Sequence, residues 1–391
     1  MRNLHNELHT LAVFRSLLSD PVIEALDEFL VCHNESAAIN AYSNFVAKLY
    51  ATGKRTLAGY VQHIVNNDEN AYIRMIGQGL EPWPELEENV RWELNTLQRI
   101  ADLTPDKLRR DLEYLGHLPG FAVKQLNIAE SYWERCDNIG SFGYGPYAKY
   151  RMFYLDQDNK IVPVVNPDGI RLESLVDYKR EQQIILDNTL ALLAGKPAAN
   201  ILLTGDAGTG KSSTVKAVAN ALWDEGLRLI EVRKDQLRSI PGILDELSGN
   251  PLKFVLFIDD LSFSKDDDSF NGLKAVLEGS VAARSANVVV YATSNRRHLI
   301  KETFSDREGD DVHRNDTMQE LASLSERFGI HITFSKPNKE TFLRIVHRLA
   351  EENGIGIPES ELDLLAERFA LERGGRSARI AKQLVDGILS R

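Results

Sequence analysis

Residues 200–213 read NILLTGDAGTGKSS, and this stretch decides how the rest of the chain is interpreted. An apolar run from Ile201 to Leu203 leads into a glycine-rich turn, and Lys211 and Ser212 follow it. The spacing matches G-x-x-x-x-G-K-[ST], a loop whose backbone N–H groups surround phosphates at the start of a helix. The stretch therefore predicts a strand, a phosphate-binding loop and a helix.

The loop predicts a binding site for ATP and Mg²⁺. Lys211 is expected to reach the β- and γ-phosphates, and the hydroxyl of Ser212 is expected to ligate Mg²⁺. The residues expected around the phosphates are Gly205, Asp206, Ala207, Gly208, Thr209, Gly210, Lys211, Ser212 and Ser213.

The sequence around the loop predicts an α/β core. From about residue 170, helical segments alternate with the short apolar runs NILLT, RLIEV, FVLFID, NVVVYATS and IHITF. Such runs are typical of parallel strands that helices cover on both faces. We therefore assign residues 169–336 to this core, and the strand-free residues 337–391 to three helices.

The residues before the core predict a helical domain over 1–137 and a loop and β-hairpin linker over 138–168. Asp20-Pro21 and Thr104-Pro105 are typical helix starts. After the second start, an apolar stripe continues through Leu108, Leu112 and Leu115. Pro163 should confine the second hairpin strand to a sheet edge. Tryptophans are found more often in the core than on a contact surface, so we expect Trp83, Trp92 and Trp133 to belong to the core.

Composition excludes several classes of protein. The 391 residues carry a net charge of −11, which argues against general adhesion to DNA or anionic membranes. The two cysteines, Cys32 and Cys136, lie far apart, which argues against a disulfide framework or a zinc site. No apolar run approaches the ~18 residues of a membrane span. We expect a cytoplasmic protein of two or three domains, without a membrane partner.

Acidic and polar residues follow two of the predicted strands. Asp259 ends an apolar strand, where a second carboxylate would hold Mg²⁺. Its neighbour Asp260 could orient the attacking water, although the pair could instead belong to a solvated loop or a helix cap. Asn295 follows NVVVYATS and could contact the γ-phosphate or align water; an Asx-turn is the alternative. Arg327 is either a cation at a helix end or an arginine finger.

Taken together, these motifs resemble those of the AAA+ ATPases. In order they are GDAGTGKS (Walker A), FVLFIDD (Walker B), ATSN (sensor 1), SERFG (arginine-finger box) and GGRSAR (sensor 2). LLTGDAGTGKSS, LFIDDLSF, GSVAARSANVVVYATSNRRHL and SLSERFGI more narrowly resemble a bacterial group of predicted AAA+ ATPases, domain of unknown function family 815. The resemblance covers roughly residues 170–391 and implies a three-layer P-loop core, a C-terminal helical lid and ATP at a subunit interface.

The resemblance also implies roles for individual residues. It makes Lys211, Ser212 and Asp259 ligands of phosphate and magnesium. Asp260 becomes the water-activating residue, Asn295 sensor 1, and Arg327 a finger acting in trans.

Two further groups follow from the resemblance. In the lid, the sensor-2 arginine is Arg376 or Arg379, with Arg376 favoured. The segment ESLVDYKREQQ corresponds to the adenine pocket, which makes Leu175 and Tyr178 candidates; the start of an amphipathic helix is the alternative.

Two departures from the common AAA+ pattern qualify the expected function. The second Walker B acid is usually glutamate, and the shorter Asp260 suggests slow hydrolysis and a switch-like protein. The region after the second core strand, RKDQLRSIPGILDEL, lacks the aromatic residue of threading pore loops. Pulling a polypeptide through a central pore is therefore disfavoured.

Three functions fit these observations in decreasing order. The first is a homo-oligomeric ATPase, a ring such as a hexamer or an open spiral, that remodels or loads a protein or nucleic-acid partner. The second is an ATP-gated scaffold with negligible turnover, with which the acidic loop 264–269 is compatible. The third is a P-loop kinase. Nucleic acid stays open as a partner through a group of basic residues, for which a solvated or subunit-facing surface is the favoured explanation: Arg284, Arg296, Arg297, His298 and Lys301.

Overall fold

The computed structural model describes residues 2–110, 112–262, 273, 277, 286–295 and 326–390. They form two compact units, one of Met1–Lys149 with Gly249–Pro251 and one of Tyr150–Ser248 with Leu252–Arg391. Within the described part of the chain, no helix combines the length and the apolar character needed to cross a membrane.

The first unit is built from helices, which confirms the predicted helical amino-terminal region. A 3-10 helix (Arg15–Ser19) follows the first of them. The α-helices are α1 (Arg2–Leu8), α2 (Pro21–Val31), α3 (Glu35–Ala51), α4 (Leu57–Asn66), α5 (Ala71–Gly77), α6 (Pro84–Ala101), α7 (Pro105–Arg109), α8 (Ile128–Asp137), α9 (Ile139–Phe142) and α10 (Pro146–Lys149).

Side-chain caps define where these helices begin. The Asp20 carboxylate accepts hydrogen bonds from the N–H groups of Val22 (3.0 Å) and Ile23 (3.2 Å), and Pro21 opens α2 as predicted. Thr104 caps α7 in the same way through its hydroxyl.

The prediction that an apolar helical stripe continues from Leu108 to Leu115 is wrong in part. The helix ends at Arg109, whose guanidinium binds the carbonyl of Leu118 at 3.0 Å and so holds the returning chain. Leu108 is buried, whereas Leu115 is fully exposed.

The core of the first unit is aromatic and aliphatic. Phe14, Tyr42, Phe45 and Tyr132 are among its fully buried side chains. Trp133 packs against this core as expected. The same expectation is wrong for Trp83 and Trp92, which are 53% and 68% exposed. Smaller residues of α6, such as Val90, Leu94 and Leu97, face the core instead.

The second unit contains a seven-stranded sheet in the order β2-β1-β4-β5-β6-β3-β7. All neighbouring strands are parallel except β1 and β2, which confirms the predicted parallel α/β core. The strands are β1 (Met152–Leu155), β2 (Ile161–Pro163), β3 (Ile201–Gly205), β4 (Leu227–Glu231), β5 (Lys253–Ile258), β6 (Val288–Ser294) and β7 (Ile330–Phe334). The accompanying helices are α11 (Lys179–Leu193), α12 (Lys211–Ala221) and α13 (Ile240–Leu247).

The predicted hairpin is present, but it is part of the sheet and not a linker beside it. β1 pairs in parallel with β4, with Met152 opposite Leu229. This pairing buries Met152, Phe153 and Leu155, which a free two-stranded hairpin would leave exposed. Pro163 lies in the edge strand β2, as expected for a residue that lacks an N–H group.

Both faces of the sheet are buried. Leu203, Phe257 and Tyr291 pack with residues of α11 and α12. Leu202, Leu256 and other residues of the opposite face are equally buried. This continuous burial explains why the strands read as unbroken apolar runs.

The carboxyl-terminal part of the second unit forms a helical subdomain of α14 (Lys339–Glu352), α15 (Glu359–Glu372) and α16 (Ala378–Leu389). Its core includes Phe342, Val346, Ala366 and Ala381. No strand is assigned among residues 337–390, as predicted.

Candidate functional site

The candidate site lies where three parallel strands end. β5, β6 and β3 are neighbours, so their carboxyl ends meet at one edge of the sheet. The phosphate loop follows β3, Asp259 and Asp260 follow β5, and Asn295 follows β6. Ligands bind at this edge in open α/β sheets.

The backbone of the glycine-rich loop adopts conformations at Gly205 and Gly210 that residues with side chains would disfavour. Gly205 has φ = 140°, and a Cβ there would lie 2.1 Å from the carbonyl oxygen of Phe334 in β7. Gly210 has φ = 97°, a left-handed conformation, immediately before α12. These two positions explain why the loop needs glycine: one is a close approach of backbone, the other a sharp entry into the helix.

The Lys211 side chain is buried and fully hydrogen-bonded. Its ammonium donates to the carbonyls of Gly205 and Asp206, both at 2.8 Å, and to Oδ1 of Asn295 at 3.0 Å. Burial lowers the pKa of Lys211, while the nearby carboxylates, with Asp259 the strongest, act in the opposite direction. The loop thus holds a cation against backbone carbonyls and one side-chain amide.

Asp259 lies at the centre of a hydroxyl cluster. The Ser212 and Thr293 hydroxyls both donate to its Oδ1 at 2.6 Å. A serine hydroxyl and a carboxylate are oxygen ligands of the kind that Mg²⁺ prefers. The side chains present therefore fit the predicted magnesium site.

Asp260 is held differently from its neighbour. Its backbone is left-handed, with φ = 54°, and its N–H donates to the Thr293 hydroxyl at 2.9 Å. The amide of Asn295 donates to its Oδ1 at 2.7 Å, so Asn295 bridges Asp260 and Lys211. The turn aims the two consecutive carboxylates at different partners.

Thr293 is the residue that sequence reasoning missed. It belongs to ATSN, in which only Asn295 was assigned a role. Its hydroxyl donates to Asp259 and accepts from the N–H of Asp260, so it fixes both acids relative to β6. A polar residue two positions before the sensor, in an otherwise apolar strand, was the available signal.

Of the remaining loop residues, Thr209 is buried and Asp206 and Ala207 are exposed. The Thr209 hydroxyl donates to the Asp206 carbonyl at 2.9 Å, and the Asp206 carboxylate lies 3.7 Å from Nζ of Lys336. Ala207 is exposed, and Ser213 is partly buried in the first turn of α12.

Tyr178 of the candidate adenine segment connects α11 to β7. It precedes α11 with φ = 66°, its ring lies 4.9 Å from that of Phe334, and its hydroxyl donates to the Ser335 carbonyl. Burial raises the pKa of Tyr178 to about 12. Leu175 is partly buried, and Val176 packs against the core of the helical subdomain. The segment thus lies between the sheet and that subdomain.

The structure brings one of the two candidate sensor-2 arginines to the loop. The N–H of Arg379 faces the Gly208 carbonyl at 3.4 Å, and a Cβ at Gly208 would lie 3.1 Å from Cβ of Arg379. The favoured candidate, Arg376, instead makes two hydrogen bonds with Glu367, at 2.8 and 2.6 Å.

Arg327 lies at the other edge of the sheet. It precedes β7, whose first residue Ile330 pairs with Ile201 at the start of β3, whereas the phosphate loop follows Gly205. Four strand residues correspond to about 13 Å. Arg327 is therefore on the side away from its own phosphate loop.

Some predicted features lie outside the described residues. They are the acidic loop 264–269 and the basic group of Arg284, Arg296, Arg297, His298 and Lys301.

Comparisons with known proteins identify one family. The sequence profile described as "Protein of unknown function (DUF815)" matches residues 148–391, more than half of the chain. No curated protein sequence matches significantly.

Several solved structures resemble part of the chain. The Holliday junction branch migration motor RuvB of Thermotoga maritima is 18% identical, with a TM-score of 0.38 over 56% of this chain. The chain spans 63% of the length of that RuvB structure. The AAA domain of FIGL-1, in complex with ADP, is 18% identical with a TM-score of 0.40, over 57% of this chain and 73% of its own. Likenesses this distant carry no information about activity.

Proposed function

The chain belongs to the DUF815 family, and we propose that it is an AAA+ ATPase that binds and hydrolyses ATP with Mg²⁺. One observation carries the proposal: the loop lysine, two acids and a sensor amide converge at one sheet edge, linked in a single hydrogen-bond network. This is the set of groups that phosphoryl transfer to water needs.

Phosphate binding would use the loop and the start of α12. The backbone N–H groups and the helix dipole attract the phosphates. The ammonium of Lys211 would exchange its contact with Asn295 for one with the β- and γ-phosphates. Arg379, which lies beside Gly208, is the better placed lid arginine for the phosphates, and Tyr178 and Leu175 would border the adenine.

Magnesium would be held by Ser212 and Asp259, whose oxygens are 2.6 Å apart. Bound there, it would neutralise charge on the β- and γ-phosphates. Thr293 keeps the Asp259 carboxylate oriented through its own hydrogen bond.

Hydrolysis would depend on Asp260 and Asn295. Asp260 would accept a hydrogen bond from the attacking water, and Asn295 would align the water or the γ-phosphate once Lys211 has turned to ATP. The short side chain of Asp260 and its bond to Asn295 both favour slow turnover.

Arg327 would complete the site of a neighbouring subunit. Its position at the far edge of the sheet from its own loop supports action in trans. We therefore propose a homo-oligomer whose subunits share ATP sites and in which the amino-terminal unit recognises a protein or nucleic-acid partner to be remodelled or loaded.

A second candidate is an ATP-gated scaffold with negligible turnover. The Asn295–Asp260 hydrogen bond favours this function, because it occupies one oxygen of the carboxylate that would otherwise face the attacking water. In that case ATP binding, not hydrolysis, would change the partners.

The test is steady-state ATP hydrolysis against protein concentration. Specific activity should rise with concentration and be lost in Arg327→Ala and in Lys211→Ala. It should return in part on mixing the two variants, because each supplies what the other lacks. Arg368→Ala, an exposed lid arginine, is the matched control and should behave like the wild type.

The other outcomes separate the candidates. Saturable ATP binding without turnover at any concentration would support the scaffold. Activity that is independent of concentration and retained in Arg327→Ala would contradict shared sites. A chain that binds no ATP would contradict both functions.

A further inference from the structure

A group of metal-ligating side chains lies in the first unit, apart from the nucleotide site. It consists of His5 in α1, His9 just after it, and Asp27 in α2. Nδ1 of His5 lies 2.7 Å from Oδ1 of Asp27, and Nε2 of His9 lies 2.8 Å from Oδ2. The two imidazole centroids are 4.5 Å apart.

We propose that His5, His9 and Asp27 bind a divalent transition-metal ion of the zinc class. Two imidazoles and a carboxylate are ligands that zinc, cobalt and nickel accept readily. The spacing is also suitable. The backbone N–H of His9 donates to the backbone carbonyl of His5 at 3.1 Å. The helical turn therefore continues to His9, and the two imidazole rings lie on the same side of it.

The geometry needs little change to accept the ion. All three ligand atoms lie within 4.8 Å of one another. Around a tetrahedral zinc with bonds of about 2.0–2.1 Å, ligand atoms stand about 3.3 Å apart. The two histidine–aspartate contacts would therefore lengthen by roughly half an ångström, and a pair of ligand atoms at the 4.8 Å limit would approach by about 1.5 Å; rotation of the partly exposed side chains can supply both changes.

The protons can be accounted for without a redox step. In the hydrogen-bonded arrangement, a neutral His5 carries its proton on Nδ1 and a neutral His9 carries its proton on Nε2. On binding, each proton moves to the other ring nitrogen, which leaves two lone pairs and the Asp27 carboxylate for the metal.

The ion has a path to the site. The side chains of His5, His9 and Asp27 are 28%, 46% and 20% exposed, so water can also supply the fourth ligand. The bound ion would cross-link α1 to α2. The sequence reasoning missed this site because it weighed only the cysteines as metal ligands and did not consider the H-x-x-x-H spacing of HNELH.

The test is zinc binding to the full chain, stripped with a chelator and kept free of nucleotide. Calorimetric titration should give one zinc per chain. His9→Gln should weaken binding by about tenfold or more, because it removes one ligand. The exposed histidine variant His117→Gln is the matched control and should bind like the wild type.

Cobalt absorption provides a second measurement. Co²⁺ bound to the wild type should show visible ligand-field bands that are lost in His9→Gln and in Asp27→Asn, while circular dichroism reports whether each variant stays helical. Zinc bound equally well by both variants would overturn the proposal, as would failure of the wild type to bind. In the latter case the three residues only join two helices by hydrogen bonds. Neither result bears on ATP hydrolysis.

Discussion

Each of the two units contains a buried ionic group whose charge is met by hydrogen bonds. In the helical unit Glu93 is 6% exposed, and in the sheet unit Lys211 is 5% exposed. The carboxylate of Glu93 accepts from backbone N–H groups at 2.8–3.1 Å, those of Ala12, Val13 and Phe14. Lys211 instead donates to the backbone carbonyls of the loop and to Asn295.

The difference lies in what could replace the partners. The N–H groups bound by Glu93 lie just before the 3-10 helix Arg15–Ser19, and they would lose their acceptor if the carboxylate were removed. The Asn295 side chain accepts a hydrogen bond from Lys211 and donates one to Asp260. A bound phosphate could replace Asn295 as the partner of Lys211, and Asn295 would then be available for a new contact. A buried charge bound only to backbone groups, such as Glu93, supports the fold, whereas one that also has an exchangeable side-chain partner, such as Lys211, can serve a ligand.

The largest effect should come from Glu93→Ala. Removing the carboxylate leaves the buried N–H of Phe14 and the partly buried N–H groups of Ala12 and Val13 without their acceptor, and a buried donor left unsatisfied costs about 1–3 kcal/mol. We expect a loss of about 3 kcal/mol in the free energy of unfolding of the first unit, measured by urea denaturation of the full chain.

The Glu93→Ala variant also tests whether this buried carboxylate affects only the stability of the first unit or ATP binding as well. Glu88→Ala, an exposed residue of the same helix, should change stability little. ATP affinity should be unchanged in both variants. A large loss of ATP affinity in Glu93→Ala alone, with the helices still folded, would show that this carboxylate has more than a structural role.

A smaller effect is expected from Thr293→Val. The methyl group keeps the shape but removes the donor to Asp259 and the acceptor for the N–H of Asp260. We expect ATP turnover to fall about tenfold, roughly 1.4 kcal/mol, with a smaller change in KM. Thr293→Ser should restore most of the turnover, because it retains the hydroxyl. A serine variant as slow as the valine variant would indicate that packing, not the hydroxyl, matters.

The smallest effect should separate the two lid arginines. Arg379→Ala should weaken ATP binding about fivefold, since an exposed cation contributes modestly to phosphate binding. Arg376→Ala should leave ATP affinity near that of the wild type, because its guanidinium is bound to Glu367. Calorimetric titration with ATP measures both. The reverse order would mean that the lid rearranges on binding and that Arg376 is the sensor.

The residues of the candidate site that come directly after a strand in the sequence could be predicted. The alternation of apolar runs and helices predicted the parallel sheet, and the loop spacing predicted the turn between β3 and α12 at which we propose that phosphate binds. The spacing could not choose between Arg376 and Arg379, since Arg376 lies just before α16 and Arg379 in its first turn, and only the packing of this helix decides which residue lies beside the loop. Nor could it place the hairpin in the sheet, because pairing with β4 joins residues far apart in the chain.

The sequence by itself determined the order of the elements, the position of the phosphate loop and the acids that follow β5. These depend on local spacing, because a strand, a turn and a helix start are each specified by a few consecutive residues. Only the tertiary structure decided that Thr293 holds both acids, that Asn295 joins Lys211 to Asp260, and that His5 and His9 meet Asp27. Those contacts depend on how separate helices and strands pack against one another. Burial of apolar residues over the whole unit sets that packing, and no single stretch of sequence encodes it.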